Sequence, residues 1–300
     1  MTPRPYGSPA AFKQALEHHL RAGSTSGAEF ARRRQLLVFD RFLVRVSASF
    51  GDAVTLKGGL ALELRLDRAR TTKDVDLRML GPSDELLSRL QAAGRQDHGD
   101  FLAFEVVPDD SHPVIQSDGM RYDGLRFRAT CRLAGKVYGQ PFGVDVAFGD
   151  PMLGAAELVV AEDHLAFAGI APPRLRLCPV ETHVAEKLHA YTLPRERPNS
   201  RVKDLPDLAL LATTKELAAP RLRAALAQTF GFRGTHPVPD MVPSPPPSWA
   251  EPYAAMAASD RLPWPTLATV VAAARAFLDP VLAADSDAVW RPDRWSWSPR

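Results

Sequence analysis

Val54-Thr55-Leu56-Lys57-Gly58-Gly59-Leu60, followed by Thr71-Thr72-Lys73-Asp74-Val75-Asp76-Leu77, is the stretch on which the reading turns. It predicts a short strand from Val54 to Leu56, a Gly58-Gly59 turn and a helix from Leu60 to about Leu66. The basic loop Arg68-Ala69-Arg70-Thr71-Thr72 then leads into a second strand. Residues two apart on a strand face the same way, so Asp74 and Asp76 present two carboxylates side by side. At ~4 Å such charges repel by roughly 4 kcal/mol at an effective dielectric of about 20, so a cation is expected between them. A hard oxygen site of this kind suits magnesium, usually held by one or two carboxylates plus substrate phosphates. Gly58-Gly59 opens a helix, where free N–H groups and the dipole favour an anion such as phosphate. Alone, Gly-Gly is a turn and Asp-x-Asp a solvated strand face. The two together, across one helix, are the signal.

This joint pattern resembles the first motif of the DNA-polymerase-β-like nucleotidyltransferase superfamily. Its fuller form, Lys57-Gly58-Gly59-Leu60-Ala61-Leu62 with Arg70-Thr71-Thr72-Lys73-Asp74-Val75-Asp76-Leu77, is similar to the AbiEii/AbiGii (MenT-type) toxin branch. Where the wider superfamily often has Gly-Ser, this chain has Gly58-Gly59, one hydroxyl fewer in a phosphate cradle.

Composition bounds the alternatives. The 300 residues suit one large domain or two smaller ones, and 45% hydrophobic with 24% charged residues is ordinary for a soluble globular chain. A net charge of +2 carries no global nucleic-acid signature, so any RNA contact must come from local patches. No apolar run reaches the ~18 residues of a membrane span, and Met1 to Tyr6 lacks the apolar core of a signal peptide. The expected location is the cytoplasm. Cys131 and Cys178 stand in no CxxC or metal spacing, against a disulfide framework or zinc site. Of seven lysines, Lys57, Lys73, Lys187 and Lys203 fall in stretches singled out on other grounds.

Ser8-Pro9 predicts a helix start, and a longer helix after Gly27 carries Arg32-Arg33-Arg34 on one face, either solvated or against RNA. Helix from Pro82 to Ala93, and strands over 101–107, 125–133 and 136–148, should follow, the last two as a hairpin through Ala134-Gly135. Asp145 lies among apolar residues of a central strand, where an unpartnered carboxylate would cost several kcal/mol. A metal or a cationic neighbour is expected beside it, or else a strand-end cap.

Beyond Pro179 the pattern is helical. Val180, Val184, Leu188 and Tyr191 share a face, and Lys187 falls on the edge of that stripe. Such a lysine snorkels outward or reaches a cleft, and methionine should fit in its place with little cost to stability. After the basic loop Pro194 to Arg201, Pro206 places a helix start near Asp204, setting Asp204 and Asp207 one turn apart beside Leu208 and Leu211. Acids there can simply complement the helix dipole. Further helices are expected over 218–229 and 266–278, and a tail holding Trp290, Trp295 and Trp297 should pin itself to the body.

The segments Ala185-Glu186-Lys187-Leu188-His189-Ala190 and Arg201-Val202-Lys203-Asp204-Leu205-Pro206-Asp207-Leu208 resemble two further motifs of the toxin branch. The resemblance thus covers roughly residues 50–215. It implies an α/β fold, a polymerase-β-like nucleotidyltransferase lobe with a mixed sheet followed by a mainly helical lobe. Residues 1–50 would be helices packing on a catalytic lobe of 51–178, and 179–300 a helical lobe with a Pro-rich segment at 236–252. Asp74, Asp76 and Asp145 would hold magnesium, or manganese, with an NTP as substrate. Lys187, Asp204 and Asp207 would join the catalytic set, one aspartate pairing with Lys187 or another cation. Lys57, Gly58, Gly59, Arg70, Thr72, Arg201 and Lys203, with Arg195 and Arg197, would serve the triphosphate or acceptor phosphates. Related toxins modify the 3′ end of tRNA, so tRNA is the expected acceptor, an antitoxin the expected partner, and a monomer the expected state. The alternatives are a small-molecule transferase of the antibiotic-modifying kind and a catalytically dead RNA- or nucleotide-binding relative.

Overall fold

The computed structural model describes residues 6–66, 72–110, 124–195 and 201–300. Helix α1 (Pro9–Ala22) starts where Ser8 Oγ accepts from the Ala11 N–H at 3.2 Å, and α2 (Gly27–Phe50) is capped by Ser26 in the same way. Leu37, Val38, Phe42 and Val46 turn the buried side of α2 to the sheet. Arg41 and Arg45 of α2 meet the buried Asp100 at 2.7 and 2.6 Å, tying the helix to the start of β3.

The sheet is built from β1 (Val54–Lys57), β2 (Asp74–Met79), β3 (Leu102–Pro108), β4 (Gly124–Leu133), β5 (Lys136–Val137), β6 (Phe142–Phe148), β7 (Glu157–Val160) and β8 (Arg174–Leu177). Among the described residues its order is β3-β4-β6-β2-β1-β8-β7, with β5 beside β4. Strands β2 and β6 run parallel, as do β1 and β8, and the other neighbours are antiparallel, so the sheet is mixed as expected. Between β1 and β2 lies the short α3 (Gly58–Glu63), which begins two residues earlier and ends earlier than the expected 60–66. Helix α4 (Leu86–Gly94) also starts later than the expected Pro82. The hairpin strand expected over 136–148 is interrupted between β5 and β6, where Gly139 takes φ +72°.

Strand β8 passes through Cys178 and Pro179 directly into α5 (Val180–Thr192), and the Cys178 N–H donates to Leu56 O at 2.8 Å. That junction sets the helix beside β1. Then come α6 (Asp204–Ala212), β9 (Leu217–Ala218), α7 (Ala219–Arg233), α8 (Ala250–Asp260), α9 (Leu267–Ala283), β10 (Val289–Arg291) and β11 (Ser296–Ser298). Two hydrophobic clusters result, one from Phe12 to Leu177 and one from Val180 to Trp290 that also takes in Leu62 of α3.

The proline-dense segment is strapped down: Val242 N–H donates to Asp279 at 2.8 Å, and Tyr191 Oη donates to Pro243 O at 2.7 Å. Strands β9, β10 and β11 form a small second sheet, and Trp290 is fully buried with its indole N–H on Ala212 O at 2.7 Å. Trp290 is therefore core, with Trp295 and Trp297 half-buried against the same cluster. No helix among the described residues is long and apolar enough to cross a membrane.

Candidate active site

One row of charge crosses four adjacent strands. Arg126 of β4 lies opposite Asp145 of β6, Asp145 opposite Asp76 of β2, and Asp76 opposite Lys57 of β1. Asp74, two residues before Asp76 on the same face, lies opposite Gly143. Both aspartates rest over glycines. A Cβ at Gly58 would lie 1.8 Å from Asp76 Oδ2, and one at Gly143 would lie 2.6 Å from Asp74 Oδ1. Gly58 also takes φ +66°, a conformation glycine adopts without strain. The Gly-Gly turn thus makes room for a carboxylate, a role the sequence did not suggest.

Burial raises the Asp76 carboxyl above the usual range, and the neighbouring Asp145 charge adds to it; Lys57 and Lys187 pull the other way. Asp145 has the cationic neighbour expected of it: Arg126 Nε and Nη2 each donate to one carboxylate oxygen at 2.7 Å. The signal that could have found Arg126 was its place on the wet face of β4.

Lys57 reaches from the sheet to the helical half, pairing with Asp150 and with Glu186 Oε1, the latter at 3.0 Å. Lys187 turns inward, its ammonium 2.9 Å from Asp204 Oδ1 and 2.7 Å from Asp207 Oδ2, both residues fully buried. The expectation of one aspartate beside Lys187 is met by both. Arg201 Nη1 lies 3.7 Å from Asp204 Oδ2. Lys203 is exposed at the N-cap of α6, and Lys73 is exposed just before β2.

Glu63, which sequence reasoning passed over, organises the entry to β2. It accepts from Arg32 Nε at 2.8 Å and from the Thr72 N–H at 3.2 Å. Arg32 is thereby drawn into the protein, and Arg33 pairs with Glu162 at 3.5 Å, so this arginine run is neither simply solvated nor a free RNA surface. Arg70 and Arg197 lie outside the described residues.

Asp74 and Asp76 are the hard oxygen donors that magnesium takes, packed over side-chain-free glycines that leave their carboxylates side by side. These residues fit the ion. Among the described residues, however, no three His, Cys, Asp or Glu side chains form a ready-made metal cage. Asp145, in the same cross-strand row, is held at both oxygens by Arg126.

The mixed sheet, the carboxylates along its central strands and the helical half packed beside them define a nucleotidyltransferase fold. It is similar to MenT4, a nucleotidyltransferase toxin from Mycobacterium tuberculosis H37Rv, with a TM-score of 0.62 and 19% identity over 94% of this chain and 92% of that one. JHP933 from Helicobacter pylori aligns with a TM-score of 0.40 and 16% identity over 70% of this chain and 82% of its own. The model of the family "Nucleotidyl transferase AbiEii toxin, Type IV TA system" matches residues 41–290, and the chain belongs to that family. No curated protein sequence matches it.

Proposed function

We propose that this chain is a magnesium-dependent toxin that transfers a nucleoside monophosphate from an NTP to the 3′ end of tRNA and so blocks translation. The observation that carries the reading is the cross-strand row Lys57, Asp76 and Asp145, with Asp74 on the same face. Acidic groups gathered so closely are costly unless they work on a cation.

In the reaction the acceptor hydroxyl forms a bond to the α-phosphorus while the bond to pyrophosphate breaks, in line with the attack. Bound magnesium would supply positive charge to the phosphates and to the attacking oxygen. Asp74 and Asp76 would hold it, with Asp145 near the attacking hydroxyl as its polarising group. The N–H groups at Gly58 and Gly59 would take phosphate oxygens, and Lys187 would offset charge developing on the nucleotide. Lys57, Thr72, Arg195, Arg201 and Lys203, with Arg70 and Arg197, would serve the triphosphate or the acceptor backbone. Residues 51–178 would form the catalytic lobe, preceded by the helices of 1–50 and followed by a helical lobe of 179–300. A cognate antitoxin is the expected partner, and the cytoplasm the site of action.

The test is to incubate purified protein with total tRNA, magnesium and each α-labelled NTP in turn, resolved on a gel. Label should enter tRNA with a preferred nucleotide and vanish with Asp76→Ala. Absence of label from every tRNA with every NTP would overturn the choice of acceptor.

A further inference from the structure

Arg126 has no part in the reading so far, yet its guanidinium grips Asp145 at both oxygens. The charges that act on it are Asp145, then Asp109 just after β3, and Asp74. A fork of this kind matches a carboxylate and a phosphate equally well. The side chain is 33% exposed, enough to leave the sheet surface without disturbing the core. While Arg126 holds both its oxygens, Asp145, opposite Asp76, offers a metal a carboxylate whose charge is already offset and whose orientation is set by the arginine.

We propose that Arg126 is a built-in counter-charge for the site, holding Asp145 while the site is empty and passing to a phosphate of the incoming nucleotide so that Asp145 joins Asp74 and Asp76 on the metal. This rests on the nucleotidyltransferase reading and deepens it. Arg126 is then a positioning residue with two partners. Its consequence is ordered occupancy: metal alone meets a two-carboxylate site, and the third carboxylate is released only when a phosphate arrives to take the arginine.

Mn2+ binding, followed by loss of the free-ion electron paramagnetic signal, tests this on the full chain without any turnover. Measurements are made with Mn2+ alone and with a non-hydrolysable α,β-methylene NTP. Wild type should bind Mn2+ weakly alone and more tightly with the analogue. Arg126→Met should bind Mn2+ alone about 10- to 100-fold more tightly, the range for groups that act on a metal's ligands, and should bind the analogue more weakly. Arg126→Lys, which keeps the charge but loses the fork, should fall between, and it keeps the test open if the methionine variant folds poorly. Adding Asp145→Asn to Arg126→Met should erase the gain. Mn2+ affinity of both Arg126 variants within twofold of wild type overturns the proposal, as does a gain that survives Asp145→Asn. The two readings fail separately: a wild type that binds the Mn2+–analogue pair, with Arg126 variants unchanged, sinks only the arginine's role. Absence of Mn2+ binding by every form, even with the analogue, sinks both.

Discussion

Replacing Lys187 by methionine is where sequence and structure give opposite forecasts. Helix geometry alone makes the change nearly neutral, since methionine matches the lysine stem. The structure puts the ammonium 2.9 Å from Asp204 and 2.7 Å from Asp207, with both aspartates fully buried. Removing it leaves two buried carboxylates facing each other, with Arg201 at 3.7 Å as a partial substitute for one of them. Breaking a buried pair from one side costs about 3–5 kcal/mol. A chain of this size moves by roughly 2 °C per kcal/mol, so the melting temperature of Lys187→Met should fall by about 6–10 °C in a calorimetric scan at pH 7. Combining it with Asp204→Asn and Asp207→Asn removes the stranded charge and should recover at least half of the loss. A Lys187→Met protein melting within 2 °C of wild type, or a triple variant melting lower still, would refute the reasoning. Transfer measured well below both midpoints should drop a further ~100- to 1000-fold if the ammonium also acts on the nucleotide.

Asp76→Asn should abolish nucleotide transfer yet melt above wild type at pH 7. Its raised carboxyl means the fold binds a proton that the unfolded chain releases, so this stability is present below the ordinary value of 3.8 and lost as pH rises through the folded value. Equal melting at pH 7 would argue against that strain. Gly58→Ala should lose both stability and transfer, because its Cβ strikes Asp76. Gly135→Ala, at φ +74° with open space around it, should lose only the ~1–2 kcal/mol of left-handed strain; equal activities would remove Gly58 from the site. Burial holds the His183 ring well below its usual range, and that of His189 at about 3, so both are neutral in the fold. The unfolded chain protonates them near 6.5, so their contribution is present above that pH and lost as pH falls. Each adds up to ~1.4 kcal/mol per pH unit to the slope of denaturant-derived stability, and His183→Leu should remove one share.

The strands of the candidate site were legible because their signals are local. Gly58-Gly59 and Asp74-Val75-Asp76 lie one helix apart, and a period of two is enough to put both carboxylates on one face. Arg126 was not legible, for a reason of register. The hairpin pairs Leu133 with Lys136 and Arg132 with Val137, and continuing that count would set Gly124 opposite Asp145. The break between β5 and β6 shifts the pairing by two residues, which brings Arg126 to Asp145 instead. Strands β7 and β8 escaped notice because each is four residues long and follows a loop. Yet β8, paired in parallel with β1 through Leu56 and Leu177, is what aims α5 at the site. Glu63 carries no signal in sequence, being one acid in a short helix; its burial beside Arg32 of α2 is a long-range event.

Two adjacent residues of α5 tie the helical half to the candidate site. Glu186 reaches back to Lys57, the last residue of β1 and the cross-strand neighbour of Asp76. Lys187 reaches onward to Asp204 and Asp207 in the first turn of α6. A shift of α5 by even 1 Å would disturb both pairs together, because consecutive residues on a rigid helix cannot move independently. The charges on the central strands and in the first turn of α6 are therefore set by one element. Arg201 and Lys203 lie at that same turn, so the phosphate-binding candidates inherit its position. Lys57 thus also bears on Asp76 directly: its charge opposes the rise in the Asp76 carboxyl, and its contact with Glu186 ties β1 to the helix that carries Lys187.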